Sequence, residues 1–148
     1  MIAVIQRVSS SSVTVDGELI GKIGKGLNIL LGVKKGDEVE DISKLVNKIV
    51  NLRIFADENG KMNLSLLDVQ GEALVVSQFT LAGNVKKGRR PSFDSSETPD
   101  IAKAMYEQFV SEVEKLGVHT QTGVFGAMMD VDIHNDGPVT FIIDSKEI

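Results

Sequence analysis

Two helix-length apolar stripes stand among many short β-branched runs, and the first of them restricts the fold most. After Asp37, the residues Val39, Ile42, Leu45, Val46, Ile49 and Leu52 recur at intervals of three and four, which places them on one side of an α-helix. Asp37 and Glu40 have the spacing of a capping box that would start it. Such a stripe must be laid on something. In a chain of 148 residues, the size of one domain, the surface available is the chain's own sheet, and a groove on a partner is the weaker explanation.

The second stripe follows the same logic. Thr98 can cap a helix with Pro99 at its first position, and Ala102, Met105, Tyr106, Phe109, Val110, Val113 and Leu116 form the buried side until Gly117 stops it. Around these helices lie the strands. Residues 2–8 and 12–15 are β-branched and partly alternating, and Asp16-Gly17 leads into residues 18–23 as a hairpin. Residues 27–33 are more continuously apolar, as in a central strand. Short strands are predicted at 53–56 and 61–66 across the turn 57–60, then at 71–81, 118–122, 127–134 and 139–144. The order β-β-β-α-β-β-β-α-β-β-β is an α+β pattern. It predicts a single domain over residues 1–148 whose mainly antiparallel, barrel-like sheet is covered by two helices.

Composition narrows the chemistry. Apolar residues at 42% and charged residues at 25% suit a soluble globular chain. The first residues reach a charge at Arg7 too soon for a signal peptide, and no run is long enough to span a bilayer, so a cytoplasmic address without membrane contact is expected. With no cysteine, disulfides, thiolate metal sites and a Cys nucleophile are excluded. His119 and His134 are the only imidazoles, and the carboxylates show no ligand spacing, so neither a metal nor another cofactor is expected. The net charge of −5, from 21 acidic against 16 basic side chains, argues against a wholly non-specific nucleic-acid binder but permits a local basic site.

Four stretches carry candidate function. The strand at 71–81 is apolar through Val76 and then presents Ser77, Gln78, Phe79 and Thr80. It reads either as a strand fraying into solvent or as a recognition edge for a base or ribose with Phe79 as an apolar wall. If it stays straight, Ser77 and Phe79 face one side, Gln78 and Thr80 the other. The next segment packs Lys86, Lys87, Arg89 and Arg90 around Gly88, a credible phosphate-contacting patch in an acidic protein, without the spacing of a P-loop. Arg7 is a long charge inside a strand, either solvent-facing or a guanidinium holding backbone carbonyls beneath a site. Asn135-Asp136-Gly137-Pro138 sits between two apolar runs; locally it is a hairpin corner, and the sharper alternative is a rigid backbone element facing a ligand, with a cis Gly-Pro bond as one form.

The chain resembles the D-aminoacyl-tRNA deacylase family, earlier described as D-tyrosyl-tRNA deacylases, over essentially its full length. The resemblance rests on Met1-Ile2-Ala3-Val4-Ile5-Gln6-Arg7-Val8, Asn51-Leu52-Arg53-Ile54-Phe55 with Gly60-Lys61-Met62-Asn63, and Ser77-Gln78-Phe79-Thr80-Leu81. It continues through Lys87-Gly88-Arg89-Arg90-Pro91-Ser92-Phe93, Thr122-Gly123-Val124-Phe125-Gly126-Ala127-Met128-Met129 and Asn135-Asp136-Gly137-Pro138-Val139-Thr140. It departs at Ala82-Gly83-Asn84-Val85 and Ser95-Ser96, positions that bear on the rim and on RNA docking. The resemblance implies hydrolysis of the ester in D-aminoacyl-tRNA by a homodimer. Ser77, Gln78, Phe79 and Thr80 would line the pocket for the terminal adenosine and aminoacyl group, with Phe125 and Met129 in its wall. Gly137-Pro138 would enter the neighbouring subunit's pocket as a cis dipeptide that selects chirality, braced by Arg7. Glycyl-tRNA, with no side chain to reject, would also be a substrate, and L-aminoacyl-tRNA would not. Thr80 would orient the ester or water, with the ribose 2′-OH assisting. The rival readings are a non-catalytic module for the tRNA 3′ end and a general hydroxyl-dependent esterase or amidase.

Overall fold

The computed structural model describes residues 1–148 and builds its sheet on one strand. The two β-branched runs near the start form a single strand β1, Ile2–Val15. Its intervening serines stay extended because pairing continues on both edges, as at Ser11, which lies opposite Ile23 on one side and Ile133 on the other. Along one edge β1 pairs antiparallel with β3, Gly26–Gly32, and further on with β2, Glu18–Ile23. The expected Asp16-Gly17 turn connects β1 to β2, with positive φ at both residues (49° and 79°), the requirement of a tight hairpin whose twist matches the strands.

Parallel pairings complete the sheet. β6, Glu72–Ser77, runs parallel to β3, and β7, Thr120–Thr122, runs parallel to β6, giving the order β2-β1-β3-β6-β7. A small separate hairpin is made by β4, Phe55–Ala56, and β5, Met62–Leu64. The outermost strands come together at Gly21, where a Cβ would stand 2.7 Å from the Thr122 carbonyl oxygen. Only glycine allows that approach, and it lets the mixed sheet nearly close into a barrel.

On the other edge of β1 lies β8, Asp130–Asp144, and here the sequence expectation fails. Asp136-Gly137 does not reverse the chain, and the last two predicted strands are one. β8 runs antiparallel to β1 on both sides of the turn formers, but Gln6 and Val8 of β1 lie opposite Thr140 and Asn135 of β8. Residues 136–139 therefore have no counterpart and bulge outward, the outcome when pairing on both flanks outweighs local turn preference.

The helices are α1, Val39–Asn51, and α2, Pro99–Lys115. Ile42, Leu45, Val46 and Ile49 of α1 join Phe109 and Val113 of α2 over Ile5, Leu27 and Ile29 of the sheet, all buried in one core. The ends of the predicted stripes, Val39 and Leu116, are exposed. A smaller cluster of Val8, Val13, Ile23, Leu74 and Val76 fills the opposite, concave side. The cap of α1 is one residue later than the spacing suggested. Asp41 accepts the Glu38 N–H at 2.7 Å, while Asp37 takes the Lys34 N–H and the Met1 ammonium, each at 2.6 Å. Acids at 37, 38, 40 and 41 make the capping pattern degenerate. Thr98 precedes α2 as expected but makes no side-chain cap; its own N–H donates to Glu97 Oε1 at 2.7 Å.

Candidate active site

The parallel strands β3 and β6 end side by side, and a cleft opens beyond their carboxyl ends. The Gln78 N–H makes the last bond of the ladder, to the Leu31 carbonyl at 2.8 Å. The chain then bends into a short 3-10 turn, Phe79–Ala82. Ser77, Gln78, Phe79 and Thr80 consequently do not alternate across a straight strand; all four line one cavity of about 610 Å³. Phe79 and Thr80 stand exposed at its mouth, and the Gln78 amide donates to Thr80 Oγ1.

The remaining walls come from distant segments. Phe125 and Met129, expected from the sequence, line the cavity between β7 and β8. From α2 come Pro99, Ala102 and Tyr106, and from the segment before it Glu97, none of which was singled out for the site, together with Ser96, noted in the sequence only as a departure bearing on the rim. Tyr106 falls on the helical stripe and reads there as core, but it also carries a polar tip. Its hydroxyl donates to the Val75 carbonyl at 2.7 Å, and its ring centroid is 5.8 Å from that of Phe125. Burial pushes this hydroxyl up to about 12, which makes it a fixed neutral donor and not a base. Ser96 and Glu97 are held by long-range backbone bonds, Glu97 N–H to Val33 carbonyl at 3.1 Å and Lys35 N–H to Ser95 carbonyl at 2.9 Å, which no local pattern reveals.

The basic segment is a loop clamped to the rim. Asn84 and Ser92 exchange backbone hydrogen bonds at 2.7 and 2.9 Å, and the Phe93 ring meets Phe79 edge-on with centroids 5.1 Å apart. A Cβ at Gly83 would meet the Thr80 carbonyl at 2.8 Å and the Phe93 ring at 3.1 Å, so the loop's first glycine permits this contact. Lys86, Lys87, Arg89 and Arg90 are exposed beyond the clamp and outside the cavity lining. None of the four enters an ion pair.

Arg7, Gly137 and Pro138 form a second group away from this cavity. The Arg7 Nε donates to the Asp136 carbonyl at 3.1 Å and lies 3.3 Å from its carboxylate, while Nη1 donates to the Ile54 carbonyl at 2.8 Å. Asn135 steadies the other flank, accepting the Val139 N–H and donating to Thr140 Oγ1, each at 3.0 Å. The Gly137-Pro138 bond is cis, and both residues are exposed at the tip of the bulge. They do not line the chain's own cleft.

Neither histidine reaches the cavity. His119 lies 3.4 Å from a Glu72 carboxylate oxygen, and His134 stands opposite Ser10 in the sheet. An imidazole-driven triad is therefore not assembled in this cleft.

Known proteins resemble the chain in sequence and in fold. The chain is 66% identical over 148 residues to a D-aminoacyl-tRNA deacylase of Persephonella marina and 64% identical to one of Aquifex aeolicus, with the full length of each chain covered. A solved structure titled c-Myc DNA Unwinding Element Binding Protein superposes with a TM-score of 0.92 at 43% identity, covering 97% of this chain and 98% of the other. A probable eukaryotic D-amino acid tRNA deacylase shares the fold at a TM-score of 0.85 and 18% identity, covering 96% of this chain and 97% of the other. The sequence pattern of the D-Tyr-tRNA(Tyr) deacylases matches residues 4–144, and the chain belongs to that family.

Proposed function

We propose that the chain hydrolyses the ester linking a D-amino acid to the 3′-terminal ribose of tRNA, acts likewise on glycyl-tRNA, and leaves L-aminoacyl-tRNA intact. The observation that carries this reading is the gathering of Ser77, Gln78, Phe79 and Thr80 in the lining of one apolar-walled cleft, in a chain of this family. An aminoacyl ester is already activated, so positioning and oxyanion stabilisation suffice as the protein's contribution, one preorganised donor supplying about 3 kcal/mol.

Thr80 is suited to that task. Its oxygen accepts the Gln78 amide N–H, which leaves its own proton free to be donated to the ester oxygen that develops charge. In the proposed reaction water adds to the ester carbonyl, the bond to the ribose oxygen breaks, and that oxygen leaves with a proton. The neighbouring ribose 2′-OH assists the proton movement. Phe125 and Met129 close the wall around the aminoacyl end. Lys86, Lys87, Arg89 and Arg90 take phosphates as the tRNA end enters.

Chirality is assigned to Gly137-Pro138 of a second subunit in a homodimer. The pair is exposed and lies outside its own cleft, and Arg7 fixes the bulge that presents it. Its carbonyls would hold the substrate's amino group and leave no room for an L side chain. The working place is the cytoplasm, where charged tRNA is found; no helix of the chain is long and apolar enough to cross a membrane. Incubation of purified protein with D-aminoacyl-tRNA labelled in the amino acid tests the reading: release of free amino acid supports it, and binding without release would assign a non-catalytic tRNA-end module.

A further inference from the structure

The cavity holds a single carboxylate, that of Glu97, and the hydrolysis described above gives it no task. Its place is well fixed. Glu97 N–H bonds the Val33 carbonyl, while Gln78 N–H bonds the Leu31 carbonyl. Two residues of extended chain separate those carbonyls, roughly 7 Å, so Glu97 is seated one step beyond Gln78 and Thr80. One of its oxygens, Oε1, accepts the Thr98 N–H at 2.7 Å and orients the group. The other, Oε2, has no hydrogen-bond or ion-pair partner within the chain. Next to it Pro99, Ala102 and Tyr106, three and four residues apart on α2, present an apolar wall to the same space.

An apolar wall with a lone acceptor in the same cavity suits a nucleobase that carries an exocyclic amino group. We infer that Glu97 reads the 6-amino group of the tRNA's terminal adenine through Oε2, with the base lying along Pro99, Ala102 and Tyr106. The inference rests on the functional reading above. The substrate's other strong donor, the α-ammonium, is two bonds from the ester carbonyl and stays beside Thr80. Phosphates are repelled by the carboxylate and drawn to the basic loop, so the charge pattern also orients the terminal nucleotide. A 6-oxo purine in the same place would set two acceptors against each other, and Glu97 rejects it for that reason.

The test uses the full chain and D-aminoacyl-tRNAs ending in adenosine, inosine or purine riboside, the last with no substituent at position 6. Wild-type single-turnover rates below saturation are expected to favour adenosine over inosine about ten-fold or more, the range of a hydrogen bond to a charged group. Glu97→Gln should narrow or invert that ratio, because a carboxamide can donate to the 6-oxygen, and should change the rate on purine riboside less than on the other two ends. An adenosine-to-inosine ratio unchanged by Glu97→Gln overturns the inference and leaves deacylation standing. Equal slowing on all three ends also overturns it, since Glu97 would then only hold the wall. Absence of wild-type hydrolysis of the adenosine-ended D ester overturns the functional reading and the inference together.

Discussion

The Arg7 guanidinium joins the carbonyl of Asp136, on the bulge of β8, to the carbonyl of Ile54, just before the β4–β5 hairpin, at 3.1 and 2.8 Å. It stands in the register gap between Gln6 and Val8, beside the unpaired residues 136–139 of β8. A planar fork can span two carbonyls at once, and a lysine ammonium cannot match it.

Arg7→Lys should therefore loosen the bulge without emptying the core, and Arg7→Ala should also leave the Ile54 and Asp136 carbonyls without this donor. A loss of about 1–3 kcal/mol in urea unfolding is expected for Arg7→Ala. If the bulge selects chirality, D-ester hydrolysis and the preference for D over L should fall together. A variant with wild-type stability and selectivity would make Arg7 a bystander.

Thr80 offers a sharper chemical prediction. Thr80→Val keeps the shape but removes the hydroxyl that accepts from Gln78 and donates onward. Loss of one preorganised donor should slow single-turnover hydrolysis about 10²–10³-fold with tRNA binding little changed. Thr80→Ser should restore most of the rate. Wild-type turnover in Thr80→Val would remove the residue from the reaction.

The rim loop should separate binding from chemistry. Lys87 and Arg89 are exposed, unpaired with any acid, and outside the cavity. Replacing both with alanine should weaken tRNA affinity and flatten the slope of log affinity against log salt by about 1.4 on a single-stranded end, from about 0.7 per phosphate contact. The saturated single-turnover rate should hold. An unchanged salt slope would contradict the phosphate role.

A buried acid in the first turn of α1 makes stability depend on pH in a defined direction. Burial pushes the Asp41 carboxyl up, but the Lys146 ammonium at 2.6 Å, the Glu38 N–H and Ser145 together hold it well below the usual carboxylate range. Lys146 in turn is raised, chiefly by its bond to Asp41. Asp41 is lowered, so its contribution is present above the ordinary carboxylate range and is lost as pH falls through its folded value. Lys146 is raised, so its share is present below the ordinary lysine range and is lost as pH rises through its folded value. Lys146→Met should destabilise the fold at neutral pH, by less than the loss of a fully buried pair because Lys146 is half exposed. In urea unfolding across pH, the gap to wild type should close toward strong acid and strong base. A gap independent of pH would rule out the pair as its source.

Local periodicity carried the helices and the β1–β2 turn, since each depends on residues close in sequence. It could not carry the parallel pairing of β3 with β6, which is fixed by a long-range register. Asp136, Gly137 and Pro138 have the composition of a corner, and only pairing with the neighbouring β1 on both flanks carries β8 past them as one strand. The same division holds at the site. The polar end of β6 and the basic loop were visible as breaks in composition, and the structure places the first in the cleft and the second at its rim. Tyr106 was concealed by serving the core as well, and Glu97 reaches the cavity through a backbone bond to Val33, sixty-four positions away.

The central claim is selection by handedness in ester hydrolysis, and parallel time courses of amino-acid release from D-aminoacyl-, L-aminoacyl- and glycyl-tRNA by the purified wild-type protein test it most directly. The D and glycyl esters should be cleaved while the L ester survives at its spontaneous rate. Rapid loss of the L ester, or persistence of the D ester, would contradict the account.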